Sequence, residues 1–324
     1  MLYIKDVLDV STENVKFVLL THLHSDHISG VCDLLTECKN AKLYLPASIT
    51  SESARRIIQI ATLNRQDLTG LNQCLNLFEF IKENGIPINS VKRGDVIYRG
   101  DNVSIVALSP SQETMNSFNL DYQSQIDIIE KRLKQGNVPY RLPLSSEFNH
   151  HSIVLKVNYL RYNLLLCADL PVHKQSGLGL TPLLKDLAKD DRKITLFKVP
   201  HHGSHNGVTL QEIYKVISSD FNDWLSVLDE NMPRFAMTAK SNVPQDKMVK
   251  EMIAITPKCY ITTNPKKRYE EPKEAIKKEV NKTGLDIKYI SKHYGLLRFW
   301  YSEIANELKF EPRNHAVALS DLLL

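Results

Sequence analysis

His22, His24, Asp26 and His27 put three histidines and one aspartate within six residues, directly after the apolar run Phe17-Val18-Leu19-Leu20-Thr21. Imidazole nitrogens and carboxylate oxygens are the donors taken by zinc and similar borderline ions. His22 and His24 are two residues apart, so in an extended segment they point the same way. Asp26 and His27 follow at a turn and can face a second ion. A strand that delivers four donors into a loop suits a two-metal hydrolase. Two ions roughly 3.5–4 Å apart bind a water between them, lower its pKa toward neutrality and yield a hydroxide nucleophile. They also stabilise charge that develops on phosphoryl or carbonyl oxygens.

Two later segments end in the same kinds of residue. Leu164-Leu165-Leu166-Cys167-Ala168-Asp169 is an apolar strand ending in an aspartate, and Phe197-Lys198-Val199-Pro200 runs into His201-His202-Gly203-Ser204. A turn at Gly203-Ser204 can aim backbone N–H groups at an anion. Between these regions and the first, Asn149-His150-His151-Ser152 precedes the apolar Ile153-Val154-Leu155. Of the eleven histidines in the chain, seven fall in these segments, so the histidines are concentrated rather than scattered. His173, His293 and His315 read as surface or structural residues, and Asp33 and Asp95 as capping or turn residues.

The pattern Leu-Thr-His-x-His-x-Asp-His-x-x-Gly, from Leu20 to Gly30, resembles the signature of the metallo-β-lactamase superfamily. The Asp169 and His201 segments are similar to later motifs of the same superfamily. The His-His-Gly-Ser ending resembles more narrowly the C-terminal hydrolase domain of ComEC-type DNA-uptake proteins and their free-standing soluble relatives. Ala107-Leu108-Ser109-Pro110, the Asn149 to Leu155 strand entry and Tyr294-Gly295-Leu296-Leu297-Arg298-Phe299 are also similar.

By position, the resemblance implies His22 and His24 on a first ion and Asp26 and His27 on a second. Asp169 would bridge them and His201 would close the second site. His202 is a weaker ligand candidate; His202, His205 or a metal-bound water would protonate the leaving group. Asp26 and His202 are thus the catalytic candidates, and Ser204 and His205 the substrate-contacting ones. The third ligand of the first ion is a histidine in many superfamily members, whereas ComEC-like sequences often carry an asparagine-rich turn there. Either His150 or His151 can restore that ligand, with His151 favoured. The cofactor expected is two divalent ions, zinc first, with manganese or iron as alternatives.

The elements that must position these residues alternate in type. Strand-like runs are expected at residues 16–21, 42–45, 103–108, 153–157, 163–167, 194–199, 234–238, 259–262 and 296–301. Helices are expected at 51–64, 71–83, 112–134, 210–217, 245–255 and 273–281. The 51–64 helix opens on Ser-Glu-Ser, suitable for capping; the 112–134 stretch is polar with no wide apolar face at its start. Interspersed strands and helices indicate an α/β fold. The resemblance sharpens this to a four-layered αββα sandwich forming one domain over residues 1–324, with a helical surface excursion near 112–147. Family members carry several strands before the first histidine motif; here about fifteen residues precede the first expected strand, room for one short element. Three expectations stay open: the start is truncated, the variant lacks N-terminal strands at one sheet edge, or a partner chain supplies them; an open edge would be covered by a second copy or a partner chain.

The chain has 324 residues, 43% of them hydrophobic and 24% charged, ordinary values for a globular protein with a sizeable core. A net charge of +4 permits an anionic substrate without demanding one. Lys266-Lys267-Arg268 reads as a solvated basic turn. Five cysteines without a Cys-x-x-Cys pair favour free thiols in a reducing compartment. Charges interrupt the first residues before a signal-peptide core can form, and no apolar run reaches membrane-spanning length. The expected setting is cytoplasmic, without a membrane.

The leading reading is a metal-dependent phosphodiesterase or nuclease using a metal-bound hydroxide. The alternatives are hydrolysis of a non-nucleotide ester, lactone or amide on the same site, and a non-enzymatic or partner-dependent interaction module.

Overall fold

The computed structural model describes residues 11–63, 69–135, 148–171, 173, 177–187, 194, 196–198, 200–201, 234–239, 259–263, 288–290, 296–302, 307–313 and 316–318. The expected helices at 210–217, 245–255 and 273–281, the 136–147 part of the excursion, His293, His315 and the Lys266 basic run lie outside them. The chain divides into two compact units, one of residues 1–97 and 106–154, the other of residues 98–105 and 155–324. The described residues form a mixed α/β structure with three sheets. Among them, no helix is long and apolar enough to cross a membrane.

The first unit starts with β1 (Phe17–Leu19), then α1 (Ser25–Ile28), α2 (Val31–Glu37), β2 (Lys42–Pro46), α3 (Ala47–Thr50), α4 (Glu52–Leu63), α5 (Thr69–Glu83) and β3 (Ile88–Val91). β1, β2 and β3 make a parallel three-stranded sheet in that order, with Val18 opposite Leu43 and Leu45 opposite Ser90. Parallel neighbours need crossovers, and the helices supply them. Ser51 caps α4 as expected: its Oγ accepts the Ala54 N–H at 3.2 Å.

Leu43 and Leu45 of β2, Ile49 of α3, Ile58 of α4 and Leu77 of α5 are all essentially inaccessible and share one core. Leu23, 1% exposed, belongs to the same core, which plants the residue between His22 and His24 in packed apolar surroundings.

Chain order continues through β4 (Val96–Arg99) and β5 (Val103–Ala107) to the long helix α6 (Gln112–Lys134). Ser111 starts α6, its Oγ accepting the Thr114 N–H at 3.1 Å. The expectation of no wide apolar face needs refinement. Met115, Phe118, Tyr122, Ile126 and Ile129 recur at three- and four-residue steps and are all buried, a narrow stripe rather than a broad face. α6 packs on α3 and α4 through that stripe and contributes four of its members, Phe118 to Ile129, to the shared core.

The second unit carries β6 (Leu155–Tyr159), β7 (Tyr162–Leu166), α7 (Leu180–Leu187), β8 (Leu196–Lys198), β9 (Arg234–Ala239), β10 (Cys259–Thr263), β11 (Lys288–Ile290), β12 (Leu296–Ser302), β13 (Glu307–Arg313) and β14 (Ala316–Ala318). Its nine-stranded sheet runs β14-β11-β10-β9-β8-β7-β6-β5-β4, and β12 and β13 form a separate antiparallel pair. From β7 to β11 successive strands pair in parallel, while β6 and β14 join antiparallel.

Leu43→Ala should cost about 2–5 kcal/mol of stability in denaturant unfolding, because Leu43 has no exposed surface and its loss leaves a cavity. Leu120→Ala, at a residue 75% exposed, should stay within about 0.5 kcal/mol of the wild type.

Candidate metal centre

In the first unit, β1 ends and the chain stays pinned: Leu20 N donates to the Tyr44 carbonyl at 3.0 Å, and the Thr21 carbonyl accepts the Ile153 N–H at 3.0 Å. The next residue, His22, is fully buried. Its ring centroid lies 4.1 Å from that of His27 and 4.9 Å from that of His24. Three imidazoles therefore converge, as the two-residue spacing and the following turn require. His24 starts α1 from an extended conformation, and its carbonyl accepts the N–H groups of His27 and Ile28 at 2.9 Å each. That single helical turn swings His27 back toward His22. Asp26 sits exposed in the first turn of α1. Gly30 then opens α2 with φ +84°, a backbone that side-chain-bearing residues rarely adopt, which explains the glycine that closes the motif.

Thr21, which sequence reasoning did not single out, orients two of these rings. Its Oγ1 lies 3.1 Å from His22 Nδ1 and 3.4 Å from His27 Nδ1. A hydroxyl oxygen can accept from both. In the tautomer with its proton on Nδ1, each ring carries its lone pair on Nε2.

Residues 148–151 form a 3-10 turn that buries Asn149 and His151 and leaves His150 half-buried. His151 Nε2 is 2.6 Å from the Tyr122 hydroxyl. Its Nδ1 is buried and meets no hydrogen-bond partner among the described residues. The segment after it is clamped by Ser109, whose hydroxyl donates to the Ser152 carbonyl at 2.5 Å and accepts the Val154 N–H at 2.8 Å. The Ala107 to Pro110 segment thereby locks the strand entry behind His151.

In the second unit, β7 and β8 run in parallel with Leu166 opposite Lys198. Asp169 and His201 each lie three residues beyond that pair, so the two strands deliver them at the same end. Asp169 has no exposed surface. The backbone there is unusual: Ala168 has φ 46° and His201 φ 45°, and the His201 N–H donates to the Ala168 carbonyl at 3.1 Å. Non-glycine residues hold such angles only where the surroundings enforce them, and such strain clusters at functional sites. Lys198 also donates to the Ala168 carbonyl at 3.4 Å. Burial lowers the Lys198 ammonium from its ordinary range, while Asp169 and Cys167 pull it back up. Cys167, expected inside the strand, lies one residue past the end of β7; it is fully buried, and burial pushes its thiol up to about 12 despite Lys198. Past Asp169 the chain folds back on itself: Leu180 N donates to the Pro171 carbonyl at 3.0 Å, and a Cβ on Gly179 would stand 2.5 Å from that same oxygen.

Among the other expected site residues, His202, Ser204 and His205 lie outside the described residues. Asp95 is a turn residue, its carboxylate accepting the Lys92 N–H at 2.9 Å, and Asp33 lies in the first turn of α2.

The donor chemistry of the first unit fits a divalent ion: the imidazoles of His22, His24 and His27 converge, and His151 holds a buried nitrogen with no hydrogen-bond partner among the described residues. The family model of the metallo-beta-lactamase superfamily matches residues 4–72. That match covers β1, the histidine loop and the helices up to the start of α5, and it supports a metal-dependent hydrolase. A search of curated proteins finds no match. Among solved structures, one that is similar is a proposed metal-dependent hydrolase from Parabacteroides distasonis ATCC 8503, at 11% identity and TM-score 0.33, covering 86% of this chain and 78% of that one. A TM-score that low does not establish a common fold.

Two outcomes are expected. Thr21→Val keeps the side-chain shape and removes the hydroxyl, so zinc affinity in a chelator competition titration should weaken by roughly 10–100-fold; unchanged affinity would remove Thr21 from the site. Burial, aided by His150, pushes His151 down to about 3, well below an ordinary histidine near 6.5. Between those values the unfolded chain holds a proton that the folded chain does not. Stability of the metal-free chain should therefore be retained above 6.5 and fall below it, by about 1.4 kcal/mol per pH unit from this residue. Denaturant unfolding between about pH 7 and pH 4 should show that slope, and His151→Gln should flatten it.

Proposed function

We propose that this protein is a metal-dependent phosphodiesterase, with nucleic acid as its substrate class. The observation that carries the hydrolase part is the convergence of the His22, His24 and His27 rings around a buried His22, oriented from behind by Thr21. By residue type, His22, His27 and Asp169 all suit a divalent ion. In this reading His24, Asp26, His151 and His201 complete the ligand set for two divalent ions, zinc first. Bound ions would supply Lewis acidity toward a phosphoryl oxygen and acidify the attacking water. The chain's own groups would do the rest. Burial keeps the His151 imidazole neutral, with a lone pair available, and the strained Ala168 and His201 backbone holds its donors in place. His202 or His205 would give a proton to the leaving oxygen, and Ser204 would contact the substrate.

The phosphodiester preference rests on the resemblance of residues 197–204 to a DNA-uptake hydrolase segment and on the net charge of +4. A four-layered αββα sandwich belongs to the same reading, as does cover for an open sheet edge by a second copy or partner chain. A cytoplasmic setting fits the free thiols of Cys32, Cys74 and Cys167. Esters, lactones and amides make the second reading, because one metal site serves many chemistries.

The test is hydrolysis of bis(p-nitrophenyl) phosphate and single-stranded DNA in added zinc or manganese, beside lactone and β-lactam reporters. Metal-dependent cleavage of the first pair, lost in His22→Ala and Asp26→Ala, is expected. Cleavage of the lactone alone would overturn the phosphodiester assignment, and activity unchanged in both variants would overturn the site.

A further inference from the structure

We propose that Tyr122 is a positioning residue for the metal centre: its hydroxyl accepts the Nε2 proton of His151 and so leaves the Nδ1 lone pair for a divalent cation. This rests on the proposed function, and specifically on His151 as a ligand. The contact is short, 2.6 Å between Tyr122 Oη and His151 Nε2, and both residues are buried, at 1% and 0% exposure. The His151 ring has little freedom to pivot. The Phe118 ring centroid is 4.3 Å away, the Tyr122 ring stacks at 5.7 Å and the Phe148 ring lies at 6.5 Å. Phe148 is also a neighbour of His24, with centroids 6.1 Å apart, so one aromatic ring adjoins both imidazoles.

The tautomer follows from which ring nitrogen has an acceptor. His151 Nδ1 is buried and has no hydrogen-bond partner among the described residues. A proton placed there would be a buried N–H donor with no acceptor, an arrangement that folded proteins seldom keep. A proton placed on Nε2 has the Tyr122 oxygen waiting for it, and what remains on Nδ1 is a lone pair. Ligating histidines commonly hold their second N–H on a partner that fixes the ring and its tautomer. Tyr122 belongs to the buried stripe of α6, so the helix does more than pack: it brings a hydroxyl to the back of a ligand.

Two measurements on the full chain decide it. Long-range nitrogen–proton correlation spectra of the metal-free wild type should show His151 protonated on Nε2; an Nδ1–H tautomer would overturn the proposal. Zinc titration against a chelator should show Tyr122→Phe binding roughly 10–100-fold more weakly. His151→Ala should lose at least as much, and the double variant no more than His151→Ala alone. A purely structural tyrosine would shift thermal unfolding and leave zinc affinity in place, which would overturn the assignment. Zinc uptake by the wild type with Tyr122→Phe unaffected would sink this inference alone; no uptake by the wild type would sink the hydrolase reading with it. Should Tyr122→Phe fail to fold, the wild-type tautomer still decides between the two outcomes.

Discussion

The histidine loop depends on one residue that is not itself a candidate ligand. The Thr21 carbonyl is tied to the Ile153 backbone, and its hydroxyl lies against the Nδ1 atoms of His22 and His27. A single side chain thereby couples the end of a strand to two imidazoles and sets which nitrogen of each faces outward. Leu23 secures the same loop from the other side, because its side chain lies in the core shared by β2, α4 and α5. With the hydroxyl behind and the leucine below, the rings converge without help from their own flexible torsions. Preorganisation of this kind is what a metal centre needs, since ligands left to find their geometry would give up affinity to ordering entropy.

A second constraint operates in the other unit. Parallel pairing of β7 and β8 in register places Asp169 and His201 at one end of the sheet, and two left-handed residues joined by a backbone hydrogen bond bend the chain there. Functional groups at the carboxyl ends of parallel strands are a recurrent outcome of α/β construction, because the loops at that end leave the sheet together. Here the bend falls on Ala168 and His201 rather than on glycines, so the tertiary structure holds both against their intrinsic preference.

Much of this is legible in the sequence. Alternating spacing of His22 and His24, the turn at Asp26 and the glycine at position 30 announce a strand, a loop and a helix start, and the structure has all three. β2, β5, α4, α5 and α6 fall within a few residues of their expected places, since long apolar patterns and capping serines leave clear marks. β3 and β4 escape sequence reading because each has four residues around a turn built from Lys92, Arg93, Gly94 and Asp95, too short for a periodicity to register. α6 looks polar because its buried face is one residue wide. Nothing local marks Ser109 or Tyr122 as positioning residues, since hydroxyls gain their meaning from partners distant in sequence: Ser109 from Ser152 and Tyr122 from His151. Only Thr21 carries a local signal, its place directly before the first histidine.

The most direct test of the central claim is a crystal structure of zinc-soaked protein with anomalous scattering recorded at the zinc edge. An anomalous peak is predicted within about 2.0–2.1 Å of the Nε2 atoms of His22 and His27, with Thr21 Oγ1 still against both Nδ1 atoms. Zinc bound elsewhere, or none at this loop under saturating metal, would contradict the metal centre and the hydrolase built on it.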